Sequence, residues 1–420
     1  MTKTVTFIHA SDLHLGAPFR GLRALSPTWA DTLIKAIPDA YQRIIDTALA
    51  EQVDFVVFAG DIFDNARPSY ADFHRFIEGL KRLEQAHIPV YFCTGNHDPY
   101  TSWQHDFASL PPNTFMFSAA EPDFFVYERD GEPLVALGGR SYYNQTWPLN
   151  EDISAGISRA HAFEATGVEA PFVVGVIHTG LNLDPTRSPV DPNELMRRDC
   201  DYWACGHIHQ RILMPETHPI VAFSGCPQGR DIKETGEHGV LKVTLSDQAP
   251  NEVVFIPTAR VVWQRFSVDV SECSTIADIH ELITDEEFTL NSTAHCQHMV
   301  CRITLVGKTK LHRELTPQVI DDLRSMLNNG YPFFFIDTIV NRTEDVIDRS
   351  LLQKEGLFPA VYLETIAGQR DNRVETLSFL EKQFYGRDLA LPRGIEGDLE
   401  GLYDDAETMV LDLLGQGEVS

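Results

Sequence analysis

The sequence has few of the features that mark secreted or membrane-bound proteins. Seven cysteines occur in 420 residues, an odd number with no Cys-x-x-Cys pair, which argues against a disulfide scaffold and a zinc ribbon. The amino terminus shows no signal peptide, and no stretch approaches the roughly 18 apolar residues of a membrane span. We therefore expect a cytoplasmic protein with reduced thiols and no membrane span.

Positive charge is also scarce. The chain has 34 basic and 61 acidic residues, and its formal net charge is −27. A protein this acidic is repelled by phosphate at long range, so it does not coat DNA or an anionic membrane unaided. Any contact with nucleic acid must depend on a local basic patch, on metal ions or on a partner chain.

The first half of the chain alternates short apolar segments with helical patterns. Residues 54–59 and 89–94 have the composition of buried strands, and residues 39–50 and 73–86 have the periodicity of amphipathic helices. Buried strands separated by helices predict β-α-β units with right-handed crossovers. Three apolar segments between residues 115 and 137 predict a β-meander. The pattern predicts an α/β (α+β) protein with two mixed sheets packed face to face and helices outside.

The length of the chain favours two or three domains. We expect the main domain to cover residues 1–258 and a small α+β capping domain to cover residues 259–345. Residues 346–420 form an acidic C-terminal segment with scattered apolar side chains. This segment is either a solvated, partly disordered end or a helical region that docks a partner.

Five groups of polar side chains directly follow apolar segments, at the predicted ends of strands. They are Asp12-Leu13-His14, Gly60-Asp61, Gly95-Asn96-His97-Asp98, Ile177-His178 and Gly206-His207-Ile208-His209. Because the carboxyl ends of neighbouring strands meet at one crevice, we expect these side chains to converge. A single group would be a weak indication, since a histidine in a loop is usually an ordinary polar residue.

The chemistry of the five groups favours a metal centre over a coincidence. Together they supply carboxylate, amide and imidazole ligands and no thiolate, which suits two divalent ions of the manganese, iron or zinc kind. A carboxylate such as Asp61 can bridge two ions. Such a pair of ions activates water and stabilises the charge of a phosphoryl group during in-line attack.

The order of the five groups resembles the calcineurin-like metallophosphoesterase superfamily, which implies a four-layer αββα sandwich. The resemblance implies that one ion is held by Asp12, His14, Asp61 and His209, and the other by Asp61, Asn96, His178 and His207. His97 is similar to the catalytic histidine of the family, which acts on the leaving oxygen. Asp98 resembles the residue that orients this histidine.

Further motifs narrow the resemblance to a branch of the superfamily. Residues 11–16 (SDLHLG), 60–64 (GDIFD) and 67–69 (RPS) resemble the SbcD-type DNA repair exonucleases. Residues 224–230 (SGCPQGR), followed by Glu234, resemble the YhaO-type subgroup. The branch implies manganese-dependent exonucleolytic or endonucleolytic cleavage of DNA, an SMC-like ATPase partner and often a homodimer. Arg67 and Arg230 lie beside the loops of the predicted metal site, and we expect them to bind the substrate.

Two other functions remain open for this sequence. A phosphatase or a small-molecule phosphodiesterase can be built on the same core, because a fold does not fix the substrate. A scaffold with an inactive metal site is the third possibility, but such a chain should lack ligands, and all seven positions are filled here. The Arg67-Pro68-Ser69 motif and the extra domain after residue 260 favour the DNA phosphodiesterase.

Overall fold

The structure is a computed structural model that describes residues 2–18, 27–103, 109–293, 296–329, 333–346 and 358–385, with a few residues between 399 and 410. One compact unit comprises Met1–Arg265, Leu290–Arg302 and Gly330–Asp337, and a second comprises Phe266–Thr289, Ile303–Asn329 and Thr338–Ser420. The division at residues 258 and 345 stays a prediction. Most of the predicted docking segment at 346–420 lies outside the described residues.

The described residues form fifteen strands and eight α-helices. The strands are β1 (Thr4–Ala10), β2 (Phe55–Ala59), β3 (Val90–Cys93), β4 (Thr114–Met116), β5 (Asp123–Arg129), β6 (Glu132–Arg140), β7 (Phe172–His178), β8 (Tyr202–Gly206), β9 (Ile212–Met214), β10 (Val221–Phe223), β11 (Gly239–Ser246), β12 (Glu252–Pro257), β13 (Val261–Asp269), β14 (His298–Thr309) and β15 (Phe334–Asp345). The helices are α1 (Pro27–Ala50), α2 (Tyr70–Gln85), α3 (Arg159–Thr166), α4 (Pro192–Arg197), α5 (Ile276–Thr293), α6 (Pro317–Leu327), α7 (Phe358–Asp371) and α8 (Arg373–Tyr385). None of these helices is long and apolar enough to cross a bilayer.

Two six-stranded mixed sheets lie within the first unit. The first sheet has the order β12-β11-β1-β2-β3-β4, in which β1 to β4 are parallel and β11 and β12 are antiparallel to their neighbours. The second sheet has the order β5-β6-β7-β8-β10-β9, with a parallel centre and antiparallel edge strands. In both sheets, the parallel strands end at the same edge, which is where ligand-binding loops of such sheets occur.

The predicted meander between residues 115 and 137 is wrong. Strand β4 pairs with β3 in the first sheet, whereas β5 and β6 form an antiparallel hairpin in the second. Phe117, just after β4, is fully buried in the core between the sheets. Three short apolar segments in close succession show that the strands are buried, but they do not show which sheet each strand joins.

Four layers follow from the way these elements bury their apolar sides. Phe7 and Phe55 of the first sheet and Val174 and Tyr202 of the second lie in the core between the sheets. Helices α1 and α2 cover the outer face of the first sheet, and α3 and α4 lie on the outer side of the second. This arrangement confirms the predicted αββα sandwich.

Helix α1 is twelve residues longer at its N-terminal end than the sequence pattern predicted. It begins at Pro27, continues through Pro38 and buries Leu33 and Ile37 as well as the predicted apolar face. Pro38 therefore does not mark the start of the helix here, because the tertiary contacts of the preceding turns outweigh the missing backbone hydrogen bond.

A third sheet is formed by β13, β14 and β15 in chain order. Helix α5 separates the first two of these strands in the chain, and α6 separates the second pair. Strands and helices therefore alternate along this part of the chain, and the capping domain at residues 259–345 stays a prediction.

Candidate metal centre

Six of the seven predicted metal ligands lie in the loops that follow β1, β2, β3 and β8, and the seventh is the last residue of β7. Asp12 and His14 follow β1, and Asp61 follows β2. Because these strands are parallel within their sheets, their carboxyl ends place the loops at one edge. Of the remaining predicted ligands, Asn96 follows β3, His178 ends β7, and His207 and His209 follow β8.

Four of the predicted ligands have a left-handed backbone conformation, which is rare for residues other than glycine. The φ angles are 53° at Asp12, 46° at His14, 50° at Asp61 and 104° at His207. Such conformations cost on the order of 1–3 kcal/mol each and concentrate at functional sites, where the surrounding structure holds them in place. Here they turn four side chains into one crevice, a feature that no residue pattern in the sequence indicated.

The first cluster of candidate ligands contains Asp12, His14 and His209. Their ligand atoms all lie within 4.8 Å of one another. The Nε2 atoms of His14 and His209 lie 3.1 Å apart, and Oδ1 of Asp12 lies 3.9 Å from Nε2 of His209. Two imidazole nitrogens and a carboxylate oxygen that face each other in this way form a donor set suited to a divalent transition-metal ion.

The second cluster contains Asp12, Asp61 and His178, again with ligand atoms within 4.8 Å of one another. Nε2 of His178 lies 3.4 Å from Oδ2 of Asp61 and 3.2 Å from the Oδ1 atom of Asn96. The ring of His207 is 5.3 Å from the ring of His178, and its backbone N–H donates to the carboxylate of Asp12. Thus Asn96 and His207, which are predicted to hold the same ion as Asp61 and His178, border the second cluster.

Asp61, a member of the second cluster, also lies close to the first. Its Oδ2 atom is 3.4 Å from Nε2 of His178 and 3.8 Å from Nε2 of His14, so one oxygen lies near a histidine of each cluster. Burial by itself would raise the pKa of Asp61, but the charge and hydrogen bond of His178 hold that pKa well below its usual range. The same pairing raises the pKa of His178 to about 9, although burial opposes this shift. Asp61 is therefore an ionised, buried carboxylate with one oxygen near a histidine of each cluster.

Two carboxylates that the sequence analysis did not assign contact the outer sides of the clustered histidines. Nδ1 of His209 donates a hydrogen bond to Oε1 of Glu234 at 2.6 Å, and Nδ1 of His14 lies 3.2 Å from Oδ1 of Asp64. Residues in this position fix the ring orientation and the tautomer of a metal-ligating histidine. Both belong to motifs that the sequence displays, GDIFD for Asp64 and the segment after SGCPQGR for Glu234, but those motifs do not show the contact.

Arg230 joins the two carboxylates. One terminal nitrogen of its guanidinium lies 3.1 Å from Oε1 of Glu234, and the other lies 3.3 Å from Oδ1 of Asp64. Burial would raise the pKa of Glu234, but His209 and Arg230 lower it well below its usual range. The guanidinium of Arg230 is thus engaged within the chain, and its contact with a substrate stays a prediction.

His97 lies at the rim of the clusters, and 42% of its side chain is exposed. Its Nδ1 atom is 2.7 Å from the backbone oxygen of Asp64, which can only accept a hydrogen bond. The proton of a neutral ring is therefore on Nδ1, and Nε2 is the atom that can accept a proton. The backbone N–H of His97 donates a hydrogen bond to Oδ1 of Asp61 at 2.8 Å.

The structure gives Asp98 other partners than the predicted one. Its buried carboxylate accepts hydrogen bonds from the backbone N–H groups of Gly95 at 2.9 Å, Ile62 at 3.0 Å and Phe63 at 3.3 Å. The oxygen that holds the His97 ring belongs to the backbone of Asp64. Asp98 therefore ties together the loops after β2 and β3 and affects His97 only through their backbones, because its side chain turns inward from the loop.

Comparison with known proteins agrees with this geometry. Residues 5–211 match the family model of calcineurin-like phosphoesterases, and residues 263–344 match that of the middle domain of metallophosphoesterase YhaO. The chain is 32% identical over 288 residues to the uncharacterized metallophosphoesterase YhaO of Bacillus subtilis, and the match covers 68% of each protein.

More distant similarity links the chain to two proteins whose names refer to DNA repair or to a nuclease. It is 27% identical over 223 residues to the DNA double-strand break repair protein Mre11 of Methanocaldococcus jannaschii, which covers 52% of this chain and 55% of that protein. It is 26% identical over 277 residues to one of the subunits of the nuclease SbcCD of Bacillus subtilis, which covers 58% of this chain and 66% of that relative. The chain thus spans between about half and two thirds of the length of these two relatives.

Proposed function

Since this chain belongs to the calcineurin-like phosphoesterase family, we propose that it is a two-metal-dependent DNA phosphodiesterase, an exonuclease or endonuclease that processes DNA ends in repair. The observation that carries the proposal is the pair of clusters that share Asp12, with Asp61 of the second cluster close to His14 of the first. Neither cluster contains a thiolate, so the donors suit ions that act on phosphate oxygens.

We assign the ligands to two ions. Asp12, His14, Asp61 and His209 would hold one ion, and Asp61, Asn96, His178 and His207 would hold the other. Manganese suits this mixture of oxygen and imidazole donors, and iron or zinc is compatible with it. When bound, such ions supply a nucleophilic hydroxide at neutral pH and neutralise charge on the phosphoryl oxygens.

The side chain of His97 completes the chemistry. Because Nδ1 is held by the backbone oxygen of Asp64, the ring exchanges its second proton at Nε2. At the exposed rim of the clusters, this atom can reach a substrate, and we assign it to the leaving oxygen as a proton donor. Asp98 keeps the loop of His97 and the loop of Asp61 in register through its three backbone hydrogen bonds.

Several observations favour DNA as the substrate. Two relatives carry names that refer to DNA double-strand break repair or to a nuclease. Arg67 is exposed on the loop after β2, where it can contact a phosphate, and Arg230 lies near the metal ligands. DNA repels a chain with a net charge of −27, so the chain gains from a partner that binds the duplex. We propose an SMC-like ATPase as this partner and a homodimer as the assembly.

The cysteines form no disulfide among the described residues, and we propose the cytoplasm as the location.

The second candidate function is that of a phosphatase or small-molecule phosphodiesterase. YhaO, matched over 68% of its own length, is named only as a metallophosphoesterase, and this description fits a phosphatase or small-molecule phosphodiesterase as well as a nuclease. The same metal centre would serve either substrate class, because the fold does not select the substrate.

A direct comparison of substrates tests the proposal. The full chain is freed of metal, loaded with Mn²⁺ and incubated with end-labelled linear DNA, a cyclic nucleotide and bis(4-nitrophenyl) phosphate. We expect two bound ions and cleavage of DNA. Turnover of the small esters alone would support the second candidate and refute the DNA substrate, whereas fewer than two bound ions without any turnover would identify an inactive scaffold.

A further inference from the structure

A cavity of about 290 Å³ opens beside the candidate metal centre. Its walls are the aromatic rings of Phe63, Phe73 and Trp103, and its rim is formed by Ala66, Arg67, Pro68 and Ser102. This volume is close to the lower end of ligand cavities, which are roughly 300–1,000 Å³. The cavity therefore suits one small, flat, apolar group rather than a long chain.

The aromatic walls of the cavity are held in place. The rings of Phe63 and Phe73 are stacked with centroids 5.9 Å apart, and the Trp103 ring is 5.3 Å from that of Phe63. The indole N–H of Trp103 donates to the backbone oxygen of Asp98 at 2.9 Å. Fixed aromatic faces bind planar heterocycles by stacking, at a small cost in side-chain entropy.

The same residues connect the cavity to the catalytic rim. The backbone N–H of Phe63 donates to the carboxylate of Asp98, and the next residue, Asp64, holds the ring of His97. Phe63, whose side chain lines the cavity, therefore directly precedes Asp64, whose backbone oxygen contacts the His97 ring.

Arg67 lies between this cavity and a second, polar groove. The groove has a volume of about 510 Å³, and its lining includes Thr101, Asn144, Gln145 and Thr146. Among the residues that the structure describes, the guanidinium of Arg67 makes no hydrogen bond or ion pair, whereas that of Arg230 is held by two carboxylates. An uncommitted cation between an apolar cavity and a polar groove matches the base and phosphate of one nucleotide.

We propose that the cavity binds the base of a nucleotide that flanks the scissile phosphodiester, with Arg67 on the phosphate of that nucleotide. The identification of the occupant as a nucleobase rests on the proposed function. The preference of the cavity for a planar aromatic group does not, because it follows from the three aromatic walls.

The test narrows the cavity without removing an aromatic wall. Ala66→Leu places a larger side chain at the rim, and Ala160→Leu makes the same change on the exposed surface of α3 as a matched control. Binding of a deoxynucleoside 5′-phosphate and of deoxyribose 5-phosphate to the Mn²⁺-loaded full chain is measured by calorimetry. We expect the base to improve affinity about tenfold in the wild type and in Ala160→Leu, as stacking on an aromatic face does, and the improvement to disappear in Ala66→Leu.

Kinetic measurements separate this inference from the proposed function. On DNA oligonucleotides with one abasic position moved along the strand, the wild type should lose kcat/KM at one position, and Ala66→Leu should lose nothing further there. If DNA is not cleaved, the proposed function fails. The cavity is then tested by itself, from the kcat/KM values of bis(4-nitrophenyl) phosphate and methyl 4-nitrophenyl phosphate, which differ in one aromatic group. The inference would be overturned if the wild type and Ala66→Leu, each with two ions bound, gained equally in affinity from the base and equally in kcat/KM from the second aryl group.

Discussion

Nδ1 of His209 donates a hydrogen bond of 2.6 Å to Oε1 of Glu234, a residue 25 positions further along the chain. With the proton on Nδ1, the lone pair of Nε2 is directed toward His14, whose own Nε2 lies 3.1 Å away. Arg230 holds Glu234 from the other side. The orientation of one candidate ligand thus depends on a carboxylate outside the two clusters that share Asp12.

Glu234→Gln is expected to weaken the binding of one of the two metal ions about tenfold, since removal of a partner behind a ligating histidine typically costs 10- to 100-fold in metal affinity. The amide keeps the size of the side chain but loses the charge that holds the Nδ1 proton of His209. Calorimetric titration of the metal-free protein with Mn²⁺ measures the effect. Glu237→Gln, an exposed neighbour, is the control, and identical isotherms for the two variants would disprove the role of Glu234.

His97→Ala is expected to lower kcat by about 10²- to 10⁴-fold, the usual contribution of a general acid, and to leave both ions bound. The ring contacts the backbone of Asp64 and lies at the exposed rim, outside the pair of clusters that share Asp12. Metal analysis and turnover of bis(4-nitrophenyl) phosphate are measured on the same sample. Loss of an ion in this variant would show that His97 is itself a ligand, and the exposed His161→Ala provides the control.

Gly95→Ala is expected to abolish the binding of at least one metal ion in a folded protein. A Cβ atom at position 95 would lie 2.1 Å from Oδ1 of Asp61 and 2.6 Å from its backbone nitrogen, so the bridging carboxylate has to move. Gly368→Ala is the control, because no atom lies within 4 Å of a Cβ there. Circular dichroism establishes folding and metal analysis counts the ions; two ions bound to Gly95→Ala would contradict the bridging position of Asp61.

Glu287 on α5 is expected to make the stability of that helix depend on pH. It follows the buried residues Ile279 and Ile283 at four-residue spacing, and its Oε1 atom has no hydrogen-bond partner among the described residues. Burial raises the pKa of Glu287 from its ordinary value of 4.5 to about 7. The folded state therefore prefers the protonated carboxyl, and its stability is full below pH 4.5 and declines as the pH rises through about 7.

Glu287→Gln removes this ionisation and should abolish the decline, which we expect to be about 1–2 kcal/mol in the opening of α5 between pH 5 and pH 8. Hydrogen exchange of α5 peptides, corrected for the intrinsic effect of pH, provides the measurement. The exposed Glu286→Gln should retain the pH dependence of the wild type. If the stability of α5 still declines with pH in Glu287→Gln, a group other than Glu287 causes the decline.

The strand ends and the polar side chains that follow them were predictable because the signal is local. In each case an apolar strand of a few residues runs directly into the polar side chain, as with β2 and Asp61 or β7 and His178. A parallel sheet then brings these ends to one edge whatever the length of the connections. The same reasoning could not place Asp98, because its three partners are backbone N–H groups whose direction depends on the loop conformation.

By itself, the sequence determined the two-sheet sandwich and the set of side chains that can hold metal, since apolar periodicity and residue chemistry are properties of short segments. The tertiary structure decided which strands pair, as with β4, and which residues lie behind the candidate ligands, as with Asp64 and Glu234. It also decided the left-handed backbone at Asp12 and His14. These features depend on contacts between residues far apart in the chain, and such contacts exist only once the loops have folded against each other.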